Sequence, residues 1–139
     1  KKPAKKGEAD DTFKKGKESF QSGKLDDATE HLTAYLESGD QKNVEEATFL
    51  RGESYYGLGE FKKAIVDYSK FPEKYRSSKR VPKALYKIGL SFDALNMKDD
   101  AKAFYQEVTD KFPKSAEAKK AKEKLSPKST SKKSKTTKP

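Results

Sequence analysis

The sequence repeats itself, and the repeat constrains the fold more than any other feature. Gly16, Gly52 and Gly89 lie 36 and 37 residues apart, and each sits inside the same phrase. Seven residues on comes Gly23, Gly59 or Asn96; five further comes Ala28, Ala64 or Ala101; four after that comes Leu32, Tyr68 or Tyr105. The middle copy, RGESYYGLGEFKKAIVDYSKF over residues 51–71, reads as two amphipathic helices joined by a short turn at Gly59. A helix–turn–helix unit recurring at this period marks a helical array, because one hairpin cannot bury its apolar face alone and must stack on the next. The first glycine of each set lets two helices approach closely; the second position tolerates the left-handed backbone on which helices often end.

The pattern also places the units. Residues 1–8 read as a basic, disordered linker, residues 9–125 as the helical domain, and residues 126–139 as a basic, disordered tail with no aliphatic or aromatic side chain. Within the domain the repeats span about 9–41, 44–78 and 81–114, with a capping helix over 115–125. Asp10 or Asp11 is expected to cap the first helix, whose thin apolar face is Phe13 and Phe20, seven apart. Leu25 opens the second helix, with Asp26 and Asp27 in its first turn, where the helix dipole favours carboxylates. Ala28, Leu32, Tyr35 and Leu36 form its buried stripe, and Gly39 ends it. Asn43 is expected to cap a third helix over Val44–Leu58, and Phe61 starts a fourth, with a kink at Pro72. Pro82 suits the first turn of a fifth helix carrying Ala84, Leu85, Ile88 and Phe92 inward. Asp99 and Asp100 open the sixth, Pro113 stops it, and Ser115 caps a seventh that presents lysines to water.

Composition narrows the chemistry. The net charge of +10 belongs to the two ends, since residues 8–125 sum to only +1. The basic balance therefore says little about what the folded part binds. There are no cysteines, so neither a disulfide framework nor a cysteine-based metal site is available. No apolar run approaches the length of a membrane span. The chain begins at Lys with no signal-peptide pattern, as expected of a processed or excised segment.

The recurring Gly, Tyr/Phe, Ala and Tyr positions, with Pro113 at a repeat boundary, resemble the tetratricopeptide repeat (TPR). The third copy fits best, through Leu85, Ile88, Gly89, Phe92, Ala101, Tyr105 and Pro113; the second keeps Gly52, Tyr55, Ala64 and Tyr68 but has Arg51 where an apolar residue is usual. The first is the most degenerate, with Ser19 in the aromatic place. The resemblance implies an all-α fold: three TPR-type hairpins in a right-handed superhelix plus a capping helix. A narrower resemblance covers residues 9–125: GESYYGLGEFKKAI, KALYKIGLSFDAL and KFPKSAEAKKAKEKL look like the C-terminal TPR domain of YbgF/CpoB, the Tol–Pal-associated cell-division coordinators. That family implies a non-enzymatic, periplasmic adaptor in bacterial envelope and cell-division coordination, with a TolA-like protein and a peptidoglycan synthase as partners. Outer-membrane assembly lipoproteins of the BamD type use similar repeats.

The candidate binding face follows from helical geometry. Phe13, Phe49 and Tyr86 sit three residues before the repeat glycines; Lys17, Glu53 and Leu90 one after; Phe20, Tyr56 and Asp93 four after. Offsets of 4 and 7 place each trio on one helix face, and in a TPR array that face lines the concave groove. Aromatic rings with a few charges suit an extended or helical peptide; the alternative is that these rings pack between repeats as core. The carboxylate clamp of chaperone-binding TPRs is only partly present. Lys83 and Lys87 occupy two basic positions, but Phe13, Lys17 and Leu50 replace the Lys and two Asn, so capture of a C-terminal carboxylate is not expected.

Catalysis has little support. His31 is the only histidine, and the pairs Asp26/Asp27 and Asp99/Asp100 keep register with the repeat, which makes them helix-start residues rather than an acid–base pair. No cofactor, metal site or small-molecule substrate is expected. Nucleic acid is the second class considered: the Lys/Ser/Thr tail could neutralise phosphates without reading sequence, although a linker is the preferred reading.

Overall fold

The computed structural model describes residues 6–127 and holds, among them, seven α-helices and no strand. They are α1 (Lys6–Gln21), α2 (Leu25–Glu37), α3 (Val44–Gly57), α4 (Phe61–Lys74), α5 (Val81–Ala94), α6 (Lys98–Lys111) and α7 (Ala116–Leu125). Each helix packs on the next in the chain, so α1/α2, α3/α4 and α5/α6 form three stacked hairpins with α7 laid over the last. The odd helices are the inner ones: α1 reaches α3 and α5 reaches α7, while the even helices make no comparable contact with one another. The array therefore curves with α1, α3, α5 and α7 along its concave side. Between α3 and α5 the backbones stay further apart, and Glu53 of α3 reaches Lys83 and Lys87 of α5 across the gap.

The repeat glycines do what their spacing predicts. A Cβ at Gly16 would lie 2.6 Å from the Leu32 side chain, and one at Gly89 2.5 Å from the Tyr105 ring. The first and third hairpins close tightly because a hydrogen replaces a methyl group at the crossing point. The turn positions are also as expected: Gly23, Gly59 and Asn96 have φ of 78°, 78° and 61°. Gly39, after α2, has φ of 87°. The helix-crossing alanines Ala28, Ala64 and Ala101 are buried, as are Leu32, Tyr68 and Tyr105 one turn later.

Several boundaries differ from the sequence reading. The first helix starts at Lys6, a turn before Asp10 and Asp11, so neither caps it. Ala9 is buried, and it extends the thin Phe13/Phe20 face by one turn, which is why the helix continues towards the N-terminus. The helix thus begins inside the segment read from sequence as a linker. Asn43 occupies the cap position of α3, but its side chain makes no capping bond; its backbone N–H donates to the Tyr35 hydroxyl at 2.7 Å. Helix α4 runs through Pro72 to Lys74. Ser115 does cap α7, its hydroxyl accepting from the Ala118 N–H at 3.0 Å. The basic segments 1–5 and 128–139, read from sequence as disordered, lie outside the described residues.

The core falls into two clusters. Ala9, Phe13, Ala28, Leu32, Tyr35 and Ala47 form the first, and a larger one runs from Phe49 through α4, α5 and α6 to Ala121. The border passes through α3. A buried ion pair stands there: Arg51 donates to both carboxylate oxygens of Asp67, at 2.9 and 2.8 Å, and to the Thr33 hydroxyl at 3.1 Å. One guanidinium thus ties α2, α3 and α4 together. Burial pulls Arg51 down, but the bonds and charge of Asp67 outweigh it and leave the guanidinium above its ordinary value.

Candidate groove on the concave face

The nine residues singled out by spacing do not all face the groove. Phe13 and Phe49 are core rings: each is 8% exposed, Phe13 against Tyr35 and Phe49 edge-on to Tyr68 and Phe71. An inner helix packs against its own hairpin partner and against a neighbouring hairpin, so its apolar sector is wider than one stripe, and the position three before each glycine falls inside it. Tyr86, in the same register, is half-buried, with the Tyr105 ring of α6 at 5.9 Å on one side and Lys120 of α7 on the other. Phe20 is half-buried against the first cluster, and Lys17 reaches Glu46 of α3 at 3.2 Å.

The remaining residues gather where α3 and α5 stand apart. Tyr56 and Leu90 are half-buried against the larger cluster, with Tyr86 beside them on α5. Glu53 sits among them and is held from three sides. The Tyr68 hydroxyl donates to its Oε1 at 2.5 Å, Lys87 Nζ lies 3.3 Å from Oε1, and Lys83 Nζ lies 3.3 Å from Oε2. Asp93 plays a related part at the far end of α5, accepting from the Tyr105 hydroxyl at 2.5 Å and from Lys98 at 3.2 Å. Burial and these carboxylates push the Tyr68 and Tyr105 hydroxyls well above the ordinary tyrosine value. Burial also raises Tyr56 and Tyr86.

The groove's cations lie over aromatic rings, some of the groove and one, Phe49, at the edge of the core. Lys87 Nζ is 4.2 Å from the centre of Tyr56, Lys83 and Arg80 lie 5.6 and 5.4 Å from Phe49, and Lys120 of α7 lies 6.0 Å from Tyr86. These distances are within the range of cation–π attraction. Arg80 also bonds Glu45 at 3.1 Å, so all three carboxylates of α3 (Glu45, Glu46 and Glu53) hold a cation from a neighbouring helix or loop. Spacing alone did not point to Arg80 or Lys120. Their common signal is a basic residue in or just before an inner helix, next to the unit that supplies the ring. Among the described residues no cluster of three His, Cys, Asp or Glu is placed to hold a metal ion, and no helix is long and apolar enough to cross a membrane.

Stacked antiparallel hairpins of this period, with small residues at every crossing and the first helix of each pair inward, define a helical-repeat solenoid. The family model of the tetratricopeptide repeat matches residues 46–78 and 83–115, so the second and third hairpins are tetratricopeptide repeats. The match does not include the first hairpin, which has Leu32 in the place of Tyr68 and Tyr105. No curated protein matches the chain. Among solved structures, the chain is similar to the first TPR domain of human RPAP3, at 26% identity over 91% of this chain and 95% of that one, with a TM-score of 0.68. It is similar too to the first TPR of Spaghetti (RPAP3) bound to the HSP90 peptide SRMEEVD, at 25% identity over 88% and 96%, with a TM-score of 0.67. The Arabidopsis OM64 TPR domain shares the fold at 19% identity over 84% and 93%, with a TM-score of 0.67.

Proposed function

We propose that this chain is a non-enzymatic adaptor that holds a peptide or helix of a partner protein in its concave groove. The observation that carries the reading is the line of half-buried apolar groups Tyr56, Tyr86 and Leu90, exposed where α3 and α5 do not close on each other. Rings of this kind offer a large contact area at low entropic cost, and the lysines around them can orient the bound backbone. The similar Spaghetti domain bound to an HSP90 peptide supports the same use of the fold.

A narrower reading places the adaptor in the bacterial envelope, in the periplasm, with a TolA-like protein or a peptidoglycan synthase as partner. It rests on the sequence resemblance of residues 9–125 to the YbgF/CpoB domain, and the solved structures add nothing to it. The test is a titration of the full chain and of a chain lacking residues 126–139, against such a partner and against DNA, at two salt concentrations. Partner binding should survive tail removal and moderate salt, and should weaken by about 1–3 kcal/mol for each of Tyr56→Ala, Tyr86→Ala and Leu90→Ala. DNA binding should fall steeply with salt and vanish with the tail. DNA binding that persists without the tail at the higher salt would overturn the adaptor reading, as would partner binding indifferent to all three groove changes.

A further inference from the structure

The cationic pair Lys83 and Lys87 lies one helical turn apart on α5 and faces the groove, the arrangement a partner's carboxylate would seek. In this chain the place is taken. Glu53 puts one carboxylate oxygen on each lysine, at 3.3 Å, and anchors itself through the Tyr68 hydroxyl at 2.5 Å. The Glu53 side chain is only 11% exposed, whereas those of Lys83 and Lys87 are 47% and 22% exposed. An acidic ligand would have to pull Glu53 away from a buried hydroxyl and two ammonium groups, or add its charge beside it. Either course is unfavourable, because like charges in a partly desolvated site repel and a buried donor loses its acceptor.

We propose that Glu53 is the specificity-determining residue of the groove, an internal carboxylate that occupies the Lys83/Lys87 site and turns acidic peptide side chains and C-termini away. This rests on the groove being a peptide site. It narrows the partner to a segment that presents apolar or neutral groups to Tyr56, Tyr86 and Leu90 and no carboxylate opposite Lys83 and Lys87. The neighbouring cations are handled in the same way, with Arg80 on Glu45 and Lys17 on Glu46, so α3 neutralises the groove along its length.

The test uses the synthetic peptide SRMEEVD as an acidic probe, with calorimetry or fluorescence anisotropy at low salt. Glu53→Gln keeps a carbonyl acceptor for Tyr68 and removes the charge. It should bind the probe at least about tenfold more tightly than the unmodified chain, as expected for freeing charge-assisted contacts. The gain should shrink as salt is raised and be absent in Glu53→Gln with Lys83→Ala and Lys87→Ala. A second arm leaves Glu53 in place: Lys83→Ala/Lys87→Ala bares the Glu53 charge and should bind the probe no better than the unmodified chain does. The proposal is overturned if Glu53→Gln gives no gain, if the gain survives loss of both lysines, or if the double alanine change tightens binding by the unmodified chain. These outcomes depend on three residues and a synthetic peptide, so they stand apart from whether Tyr56, Tyr86 and Leu90 hold the natural partner.

Discussion

At the scale of single residues, the repeat glycines are not equivalent, although the sequence presents them as such. A Cβ at Gly52 would meet Asp67 and Tyr68 at 3.2 and 3.3 Å, a contact that small shifts relieve. At Gly89 it would meet the Tyr105 ring at 2.5 and 2.7 Å, an overlap too deep for small shifts to relieve, since a hydroxyl bond pins each ring, Tyr105 to Asp93 and Tyr68 to Glu53. Alanine in mid-helix gains about 1 kcal/mol over glycine, whereas forced overpacking loses about 1–3 kcal/mol. Gly52→Ala should therefore be close to neutral, and Gly89→Ala clearly destabilising, in urea melts of the two variants. Equal effects would mean that the third hairpin gives way as easily as the second. A buried tyrosine sets an alkaline limit on the same scale. Burial, and then the bond to Asp40, push the Tyr35 hydroxyl up to about 12. The unfolded chain releases this proton near the ordinary value of about 10. Between those values the unfolded state has lost a proton that the folded state keeps, so stability is full below pH 10 and falls as pH rises towards 12. Tyr35→Phe should lower the melting temperature at neutral pH, because the Asn43 N–H and Asp40 lose a partner, yet show a shallower decline above pH 10. Parallel curves for the two proteins would remove Tyr35 from that account.

At the scale of the element, α3 is the helix that the sequence disclosed least. Its buried residues, Ala47, Thr48, Phe49, Gly52 and Ser54, spread around the axis instead of forming one stripe, because it packs on α2 and on α4 and sends side chains to both core clusters. Period and turn chemistry therefore fixed where α3 lies, within a residue of its observed end, but not which way Phe49 points. Turn glycines, acidic first turns and the Ser115 cap act locally and were legible for that reason. The groove was legible only in part, since exposure of a ring depends on what the next hairpin brings, and a helix periodicity carries no record of its neighbours. The Arg51–Asp67 pair is the clearest case. Arg51 stood out as a charge in an apolar place, and its partner lies 16 residues on, the spacing that also joins Gly52 to Tyr68. Asp67 is 1% exposed, so Asp67→Ala should strand the half-buried guanidinium and cost about 3–5 kcal/mol. Arg51→Leu with Asp67→Leu removes both charges and should recover most of that loss. If the double change is as damaging as the single one, geometry and not charge compensation holds the three helices there.

At the scale of the whole molecule, the two core clusters imply that the array does not open as one body. Solenoid stability is a sum of unit and neighbour terms, and each hairpin leans only on the next. The first cluster is the smaller, with six buried residues against twelve in the second, and a polar triad rather than apolar packing stands at the border. The first hairpin should thus open at lower free energy than the rest, taking α1 and α2 with it. Leu32→Ala tests this, because Leu32 is fully buried and fills the crossing at Gly16, where the lost side chain leaves a cavity worth about 2–5 kcal/mol. Native-state hydrogen exchange should show protection falling across α1 and α2 while the most protected amides of α5 and α6 keep theirs. Leu85→Ala, in the larger cluster, should instead lower protection through α4, α5 and α6 together, since buried apolar residues of that core run without a break from one of these helices to the next. An equal loss over all seven helices in the Leu32 variant would show that the triad transmits the disturbance instead of containing it. The groove between α3 and α5 would then open and close with the whole fold. With the loss confined to α1 and α2, that groove stays on the rigid part of the array, with its rings and lysines held in place while the first hairpin frays.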